Sequence, residues 1–232
     1  MSASDAKTNA SDAKTSASDA KNERKRGGNE QPVGPAAEEG RADGCAVGAL
    51  DPRPELQGRP VFMSTPAVFL DRDGTLMEEV HYCGDPAQVR LYAGVPEGLR
   101  RLRKAGFRTF IVSNQSGIGR GLITEAQYRA VQAELLAQIG EGLIDASYFC
   151  PDAPGAPSKR RKPEPGMVFE AAAEFDVDLA RSYMIGDKSA DVECGKRAGV
   201  KTILVLTGYG AEQNCVPDYR ARDVAEAMEI VR

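Results

Sequence analysis

The chain has 232 residues, of which 28% are charged, with a net charge of -4 and a pI near 5.3. That balance gives no sign of a general nucleic-acid binder, so a small anionic ligand would have to be met by a local positive site. No apolar run approaches the ~18 residues of a transmembrane helix, and the N-terminus lacks the apolar core of a secretory signal. Five cysteines (Cys45, Cys83, Cys150, Cys194, Cys215) are scattered without a C-x-x-C pair. Free thiols in a reducing compartment, and hence a cytoplasmic protein, are expected.

Residues 1–62 are nearly devoid of aromatic and β-branched side chains. They begin with a seven-residue near-repeat, SASDAKT, NASDAKT, SASDAKN. Only alanine could fill the apolar positions of such a heptad, too little apolar surface to hold two helices together, so a low-complexity disordered tail is expected. A docking arm is the functional alternative, and a start of translation at Met63 the simpler one. Residues 63–232 read as one folded domain.

From Ala67 onward, strand and helix signals alternate. Ala67–Leu70 is an apolar run fitting a buried parallel strand. Val95, Leu99 and Leu102 recur at helical spacing before Gly106. Phe107–Val112 is the next strand. Thr124-Glu125-Ala126-Gln127 is a capping box opening a helix whose Tyr128, Val131, Leu135 and Ile139 share a face. Ser147–Phe149 is a third strand, and Pro165 starts a helix through about Phe175. The strand Ser182–Ile185, a helix over about Ala190–Ala198, the strand Lys201–Leu206 and a helix from about Asp223 follow. This rhythm predicts an α/β fold, a doubly wound parallel sheet with helices on both faces. Ligands of such sheets bind beyond the C-terminal strand ends.

Those ends carry the polar residues. The first strand runs into Asp71-Arg72-Asp73-Gly74-Thr75 and the second into Ser113-Asn114-Gln115-Ser116-Gly117. Arg160-Arg161-Lys162-Pro163 precedes a later helix, and Gly186-Asp187-Lys188 ends the fourth strand, with Asp191 one helical turn on. Each piece alone is weak, because D-x-D occurs in many loops. The four in this order, each at a strand end or before a helix, are specific.

In these four motifs the chain resembles the haloacid dehalogenase (HAD) superfamily. The stretches FLDRDGT, SNQSGIGRG, RKPEPGM and MIGDKSADVECG are similar to the branch holding D-glycero-D-manno-heptose 1,7-bisphosphate phosphatases and histidinol-phosphatases. The resemblance covers Ala67 to about Gly208. It implies a Mg²⁺-dependent phosphatase with Asp71 as nucleophile and Asp73 as general acid and base. It implies Mg²⁺ on Asp71, Asp187 and the backbone carbonyl of Asp73, because a phosphate ester resists an anionic nucleophile until its charge is neutralised. Ser113 and Lys162 match the family's phosphate-holding hydroxyl and lysine. Asn114, Gln115 and Ser116 would extend that cradle. Arg161 and Lys188 fall where the branch meets substrate or its second phosphate, and His81 and Tyr82 lie in a substrate-recognition loop. Asp191 reads equally as support for the metal site or as a carboxylate suited to the start of its helix. The lone histidine excludes any multi-His metal site.

Many members of this branch carry a structural zinc through a Cys-x-His and Cys-x-Cys set ahead of the lysine motif. Here Cys150 stands alone, and one thiol cannot make a tetrahedral site, so no zinc is expected. Pro151, Pro154 and Pro157 would stiffen that loop instead. The intervals Thr75–Ser113 and Gly117–Lys162 are filled by strand–helix units, which leaves no room for a folded cap domain. The expected substrate is a small phosphorylated molecule, heptose 1,7-bisphosphate cleaved at position 7 first and histidinol phosphate second. No nucleic-acid or membrane partner is expected, and the chain is read as a monomer. Two other classes remain: a nucleic-acid 3′-phosphatase, against which the acidic pI counts, and an inactive HAD-fold binding module.

Overall fold

The computed structural model describes residues 64–232; the near-repeat, the expected tail and Met63 lie outside them. Six strands form one sheet: β1 (Ala67–Leu70), β2 (Arg108–Asn114), β3 (Ala146–Cys150), β4 (Tyr183–Gly186), β5 (Lys201–Val205) and β6 (Tyr219–Ala221). All pairings are parallel, in the order β3-β2-β1-β4-β5-β6. The chain leaves β1 toward one edge and returns to the other side of β1 with β4. The central strand is therefore the switch point, where a crevice opens beyond the strand ends.

Six helices accompany the sheet: α1 (Val95–Lys104), α2 (Ser116–Gly119), α3 (Glu125–Ile139), α4 (Gly166–Phe175), α5 (Ser189–Ala198) and α6 (Val224–Ile230). Successive strand residues point to opposite faces, and the core divides accordingly. Val68, Leu70, Ile111 and Ile185 pack with Leu99 of α1, Leu135 of α3 and Met228 of α6. Phe69, Phe110 and Met184 face the other way, onto Met167 of α4 and Cys194 of α5. Phe69 and Phe110 stack with ring centroids 5.4 Å apart. Each such side chain contributes ~1.5–3 kcal/mol by leaving water. Removing the Leu70 side chain beyond Cβ would cost about 2–5 kcal/mol.

The expected doubly wound sheet is the observed one, and most boundaries lie within two residues of expectation. Thr124 makes the capping box, accepting from the Gln127 N–H while Gln127 accepts from the Thr124 N–H. Two elements were not anticipated. α2 is a single turn cut from the Ser116–Gly119 motif, and β6 has three residues, two of them exposed, too few to show a period. Among the described residues, Cys83, Cys150, Cys194 and Cys215 are free thiols, and no helix is long and apolar enough to cross a membrane.

Register carries this frame to the site. Leu70 pairs with Ile111 on one side and Ile185 on the other. The next residue, Asp71, donates its N–H to the Ile185 carbonyl at 2.9 Å. The polar residues that end β1, β2 and β4 thus emerge side by side.

Candidate active site

Lys162, delivered by the loop before α4, reaches under the ends of β1 and β2. Its ammonium has three N–H donors and three acceptors. These are Asp71 Oδ1 at 2.7 Å, the Val112 carbonyl at 2.7 Å and Asp191 Oδ1 at 2.6 Å. Burial works against the charge on Lys162, but the carboxylates of Asp191 and Asp71 outweigh it and raise its pKa. Burial likewise opposes the charge on Asp71, yet Lys162 and Lys188 hold its carboxyl below the usual range. Asp71 is therefore an ionised, buried carboxylate at the mouth of the sheet.

Asn114 fixes the lysine loop. Its Nδ2 donates to the Lys162 carbonyl at 2.9 Å, and its Oδ1 accepts the Lys162 N–H at 3.0 Å. The sequence reading had Asn114 as part of a phosphate cradle. The structure commits its amide to the Lys162 backbone, although the residue still lines the adjoining cavities.

Asp187 follows β4 and is fully buried. Its Oδ2 accepts the Tyr209 N–H at 2.9 Å, and its Oδ1 has no partner. Two glycines with positive φ, Gly74 (83°) and Gly208 (55°), close over this carboxylate, and a Cβ on either would collide with Asp187 Oδ2. Burial first and the nearby Asp71 charge second push the Asp187 carboxyl up to about 8. Asp191 is also shifted upward, by burial against the pull of Lys162.

Asp71, Asp187 and Asp191 each offer an oxygen, all within 4.8 Å of one another. Three hard oxygens, one of them buried without a hydrogen bond, fit a divalent cation such as Mg²⁺ or Ca²⁺. Asp191, left open between two roles by the sequence, serves both: Oδ1 pairs with Lys162, and Oδ2 accepts the Lys188 N–H at 3.0 Å, at the start of α5. The sequence places the backbone carbonyl of Asp73, not its side chain, with Asp71 and Asp187 at the metal. The Asp73 carboxylate accepts from Arg72 and Gln115 and lines the same cavity as Asp71 and Asp191.

Two adjoining cavities open here. The smaller, about 40 Å³, is lined by Asp71, Asp73, Ser113, Asn114, Lys162, Lys188, Ala190 and Asp191. The larger, about 300 Å³, is lined by Asp73, Gln115, Ser116, Glu79, His81, Lys188 and Tyr209, among others. Lys188 Nζ lies 3.1 Å from Glu79 Oε2 and 4.7 Å from the centroid of the Tyr209 ring. The Tyr209 hydroxyl is 3.0 Å from His81 Nδ1. Tyr82 adopts φ 57°, and its ring covers Gly117, where any Cβ would strike it. Its hydroxyl accepts from Arg120 at 3.0 Å.

Arg161 differs from expectation. It donates Nη1 to the Asp152 carbonyl at 3.0 Å and lines neither cavity. Its loop is tied together locally: Ser158 Oγ accepts the Arg160 and Arg161 N–H groups at 3.2 Å each. Cys150 Sγ lies 3.3 Å from Asp152 Oδ2. Sequence reasoning gave no role to Arg72, Glu79 or Tyr209. Arg72 had a signal, a cation between two acids at a strand end; Glu79 and Tyr209 are far apart in sequence and had none.

A pocket floored by an ionised carboxylate, a lysine, a hydroxyl and an acidic cation site suits transfer of a phosphoryl group. Comparison with known proteins agrees. A HAD-hydrolase-like family model matches residues 159–228. The D-glycero-D-manno-heptose-1,7-bisphosphate 7-phosphatase of Thermosynechococcus vestitus is 39% identical over 187 residues, 72% of this chain and 95% of that protein. Its Chlorobaculum tepidum counterpart is 39% identical over 186 residues, 71% and 93% of the two chains. The crystal structure of D,D-heptose 1,7-bisphosphate phosphatase from B. bronchiseptica, complexed with magnesium and phosphate, superposes with a TM-score of 0.66 at 32% identity, covering 71% of this chain and 97% of the other. With that site on that sheet, and with these relatives matched over nearly their whole length, the chain belongs to the HAD superfamily and is one of its phosphatases.

Proposed function

We propose that the chain hydrolyses D-glycero-D-manno-heptose 1,7-bisphosphate at the 7-phosphate, with Mg²⁺ as cofactor and Asp71 as nucleophile. The observation that carries this reading is the buried Asp71 carboxylate held by Lys162 against the Asp187–Asp191 pair. Mg²⁺, held by Asp71 and Asp187 with Asp191 behind them, would neutralise phosphoryl oxygens and relieve the repulsion among the carboxylates.

The residues then divide the work. An Asp71 oxygen attacks phosphorus, forming an aspartyl-phosphate as the ester P–O bond breaks. Protonated Asp73 gives its proton to the leaving sugar oxygen. The resulting Asp73 carboxylate takes a proton from water, whose oxygen attacks phosphorus and frees Asp71 with release of inorganic phosphate. Lys162 and Ser113 stabilise the non-bridging oxygens, each donor of this kind being worth ~2.7–4 kcal/mol. The larger cavity accommodates the sugar. Lys188 lines both cavities and suits a second anionic group, with His81, Tyr82, Gln115 and Ser116 around the remainder.

Names of the relatives support the substrate, and the neighbour crystallised with magnesium and phosphate supports the cofactor. Phosphate release from heptose 1,7-bisphosphate and from histidinol phosphate, with Mg²⁺ and with EDTA, tests both. Faster turnover of histidinol phosphate would sink the substrate assignment, and undiminished release in EDTA would sink the cofactor.

A further inference from the structure

Arg72 lies between the two aspartates of the first motif and is 1% exposed, the largest fully buried side chain described. Two of its three nitrogens, Nε and Nη2, are paired, while Nη1 is buried without a partner. Nε donates to Asp73 Oδ2 at 3.1 Å and Nη2 to Asp73 Oδ1 at 2.9 Å, a two-pronged grip on one carboxylate. Nη2 also reaches Gln115 Oε1 at 3.2 Å. Gln115 Nε2 in turn donates to Asp73 Oδ2 at 2.8 Å and to Ser113 Oγ at 2.8 Å. The guanidinium carbon sits 5.2 Å from the centroid of the Tyr128 ring, which backs the arginine from α3. Both oxygens of Asp73 are therefore held by groups whose own positions are set by the core.

A lysine could supply the charge but not the planar fork. A carboxyl that gives a proton to one oxygen and then takes one from another must face each at hydrogen-bonding distance, and a freely rotating side chain would do so only part of the time.

We propose that Arg72 is a positioning residue for phosphoryl transfer: with Gln115 it fixes the Asp73 carboxyl at the cavity wall, so that its proton meets the leaving oxygen. The inference rests on the reading of Asp73 as the proton donor. It assigns Arg72 a task separate from neutralising a buried charge. Gln115 extends the same frame to Ser113, so the proton donor and the phosphoryl-holding hydroxyl keep a set separation.

Leaving-group dependence separates positioning from a merely structural role. A sugar alkoxide leaves badly without a proton, whereas 4-nitrophenoxide leaves well without one. Single-turnover release of the leaving group would be measured for heptose 1,7-bisphosphate and 4-nitrophenyl phosphate with Mg²⁺. The proteins are the full chain, Asp73→Asn, Arg72→Lys, Arg72→Met and Arg72→Met with Asp73→Asn. Asp73→Asn should lose ~10²–10⁴-fold on the sugar phosphate and far less on the aryl one. Both Arg72 variants should show the same selective loss, of about tenfold or more, and Arg72→Met should add little to Asp73→Asn. If folded Arg72 variants lose equally on both substrates, lose nothing, or multiply the Asp73→Asn defect, the inference is overturned. Leaving-group dependence absent from Asp73→Asn itself would overturn the reading of Asp73, and this inference with it. Should the Arg72 variants not fold, Gln115→Leu, which frees both Asp73 and Ser113, must lose more on the sugar phosphate relative to the aryl one than Ser113→Ala does, and an equal ratio in the two variants would overturn the inference.

Discussion

Lys162 and Asp191 form a salt bridge of 2.6 Å in which both side chains are only 2% exposed, and the same ammonium grips Asp71. One lysine thus balances two buried carboxylates, and its removal leaves both without their cation. Breaking such a buried pair from one side costs about 3–5 kcal/mol. Lys162→Met should therefore lower the melting temperature by roughly 2–4 °C for each kcal/mol lost. It should also lower kcat by ~10²–10³. Thermal melts and steady-state kinetics on one preparation would check both; a stable but inactive variant would show that the pair serves chemistry alone.

Asp187→Asn should separate stability from function. The change makes permanent the uncharged state that burial and the Asp71 charge favour, while keeping an oxygen for the Tyr209 N–H. Without metal the variant should melt at a higher temperature than the parent. With Mg²⁺ it should gain little, and its phosphatase activity should fall by two orders of magnitude or more. Differential scanning calorimetry with EDTA or Mg²⁺ reads the first two, and phosphate release reads the third.

Acidity in the same cluster gives the stability of the metal-free protein a definite slope. Asp187 is raised to about 8 in the folded chain, from an ordinary carboxylate value of 3.8. Between those values the folded state binds more protons than the unfolded one, so stability falls as pH rises. The stabilising contribution is complete below about pH 4 and lost by pH 8 and above. Added Mg²⁺, which competes with that proton, should stabilise more strongly at pH 8 than at pH 6. A pH series of melts in EDTA and in Mg²⁺ measures the difference, and Asp187→Asn should flatten it.

Gly74 and Gly208 leave no space for a side chain over Asp187. Gly74→Ala places a methyl group against that carboxylate at φ 83°. Overpacking costs about 1–3 kcal/mol, and the left-handed backbone adds ~1–2 more. The Mg²⁺ concentration for half-maximal activity should rise along with the loss of stability, because Asp187 must move. An unchanged Mg²⁺ requirement would contradict the proposed ligand.

In the lining of the larger cavity, the Tyr209 hydroxyl meets His81, and the Tyr209 ring lies under Lys188. Tyr209→Phe removes a hydrogen bond worth ~0.5–1.5 kcal/mol while keeping the ring. KM for the sugar bisphosphate should rise no more than about tenfold with kcat nearly unchanged. Lys188→Ala should raise KM more for a bisphosphate than for a monophosphate, since it would remove a cation that faces the second anionic group. Comparing KM for the two substrates in each variant decides this.

Much of this molecule was legible in its amino-acid order. The apolar run Ala67–Leu70, the helical period of Val95, Leu99 and Leu102, and the Thr124–Gln127 capping box are local signals, and each formed the element it specifies. Asp71, Lys162 and Asp187 could be ranked as candidates because strand ends of a doubly wound sheet converge on one edge. What the sequence could not determine were contacts made only after folding. Asn114 is spent on the Lys162 backbone, and Arg161 on its own loop. Asp191 bridges Lys162 and α5. Arg72 and Gln115 capture Asp73, while Glu79 and Tyr209, far apart in the chain, meet at Lys188. Periodicity and motif spacing report which residues share a face or a strand end. Which donor takes which acceptor is settled by packing, because a buried polar group must pair with whatever the finished core places beside it.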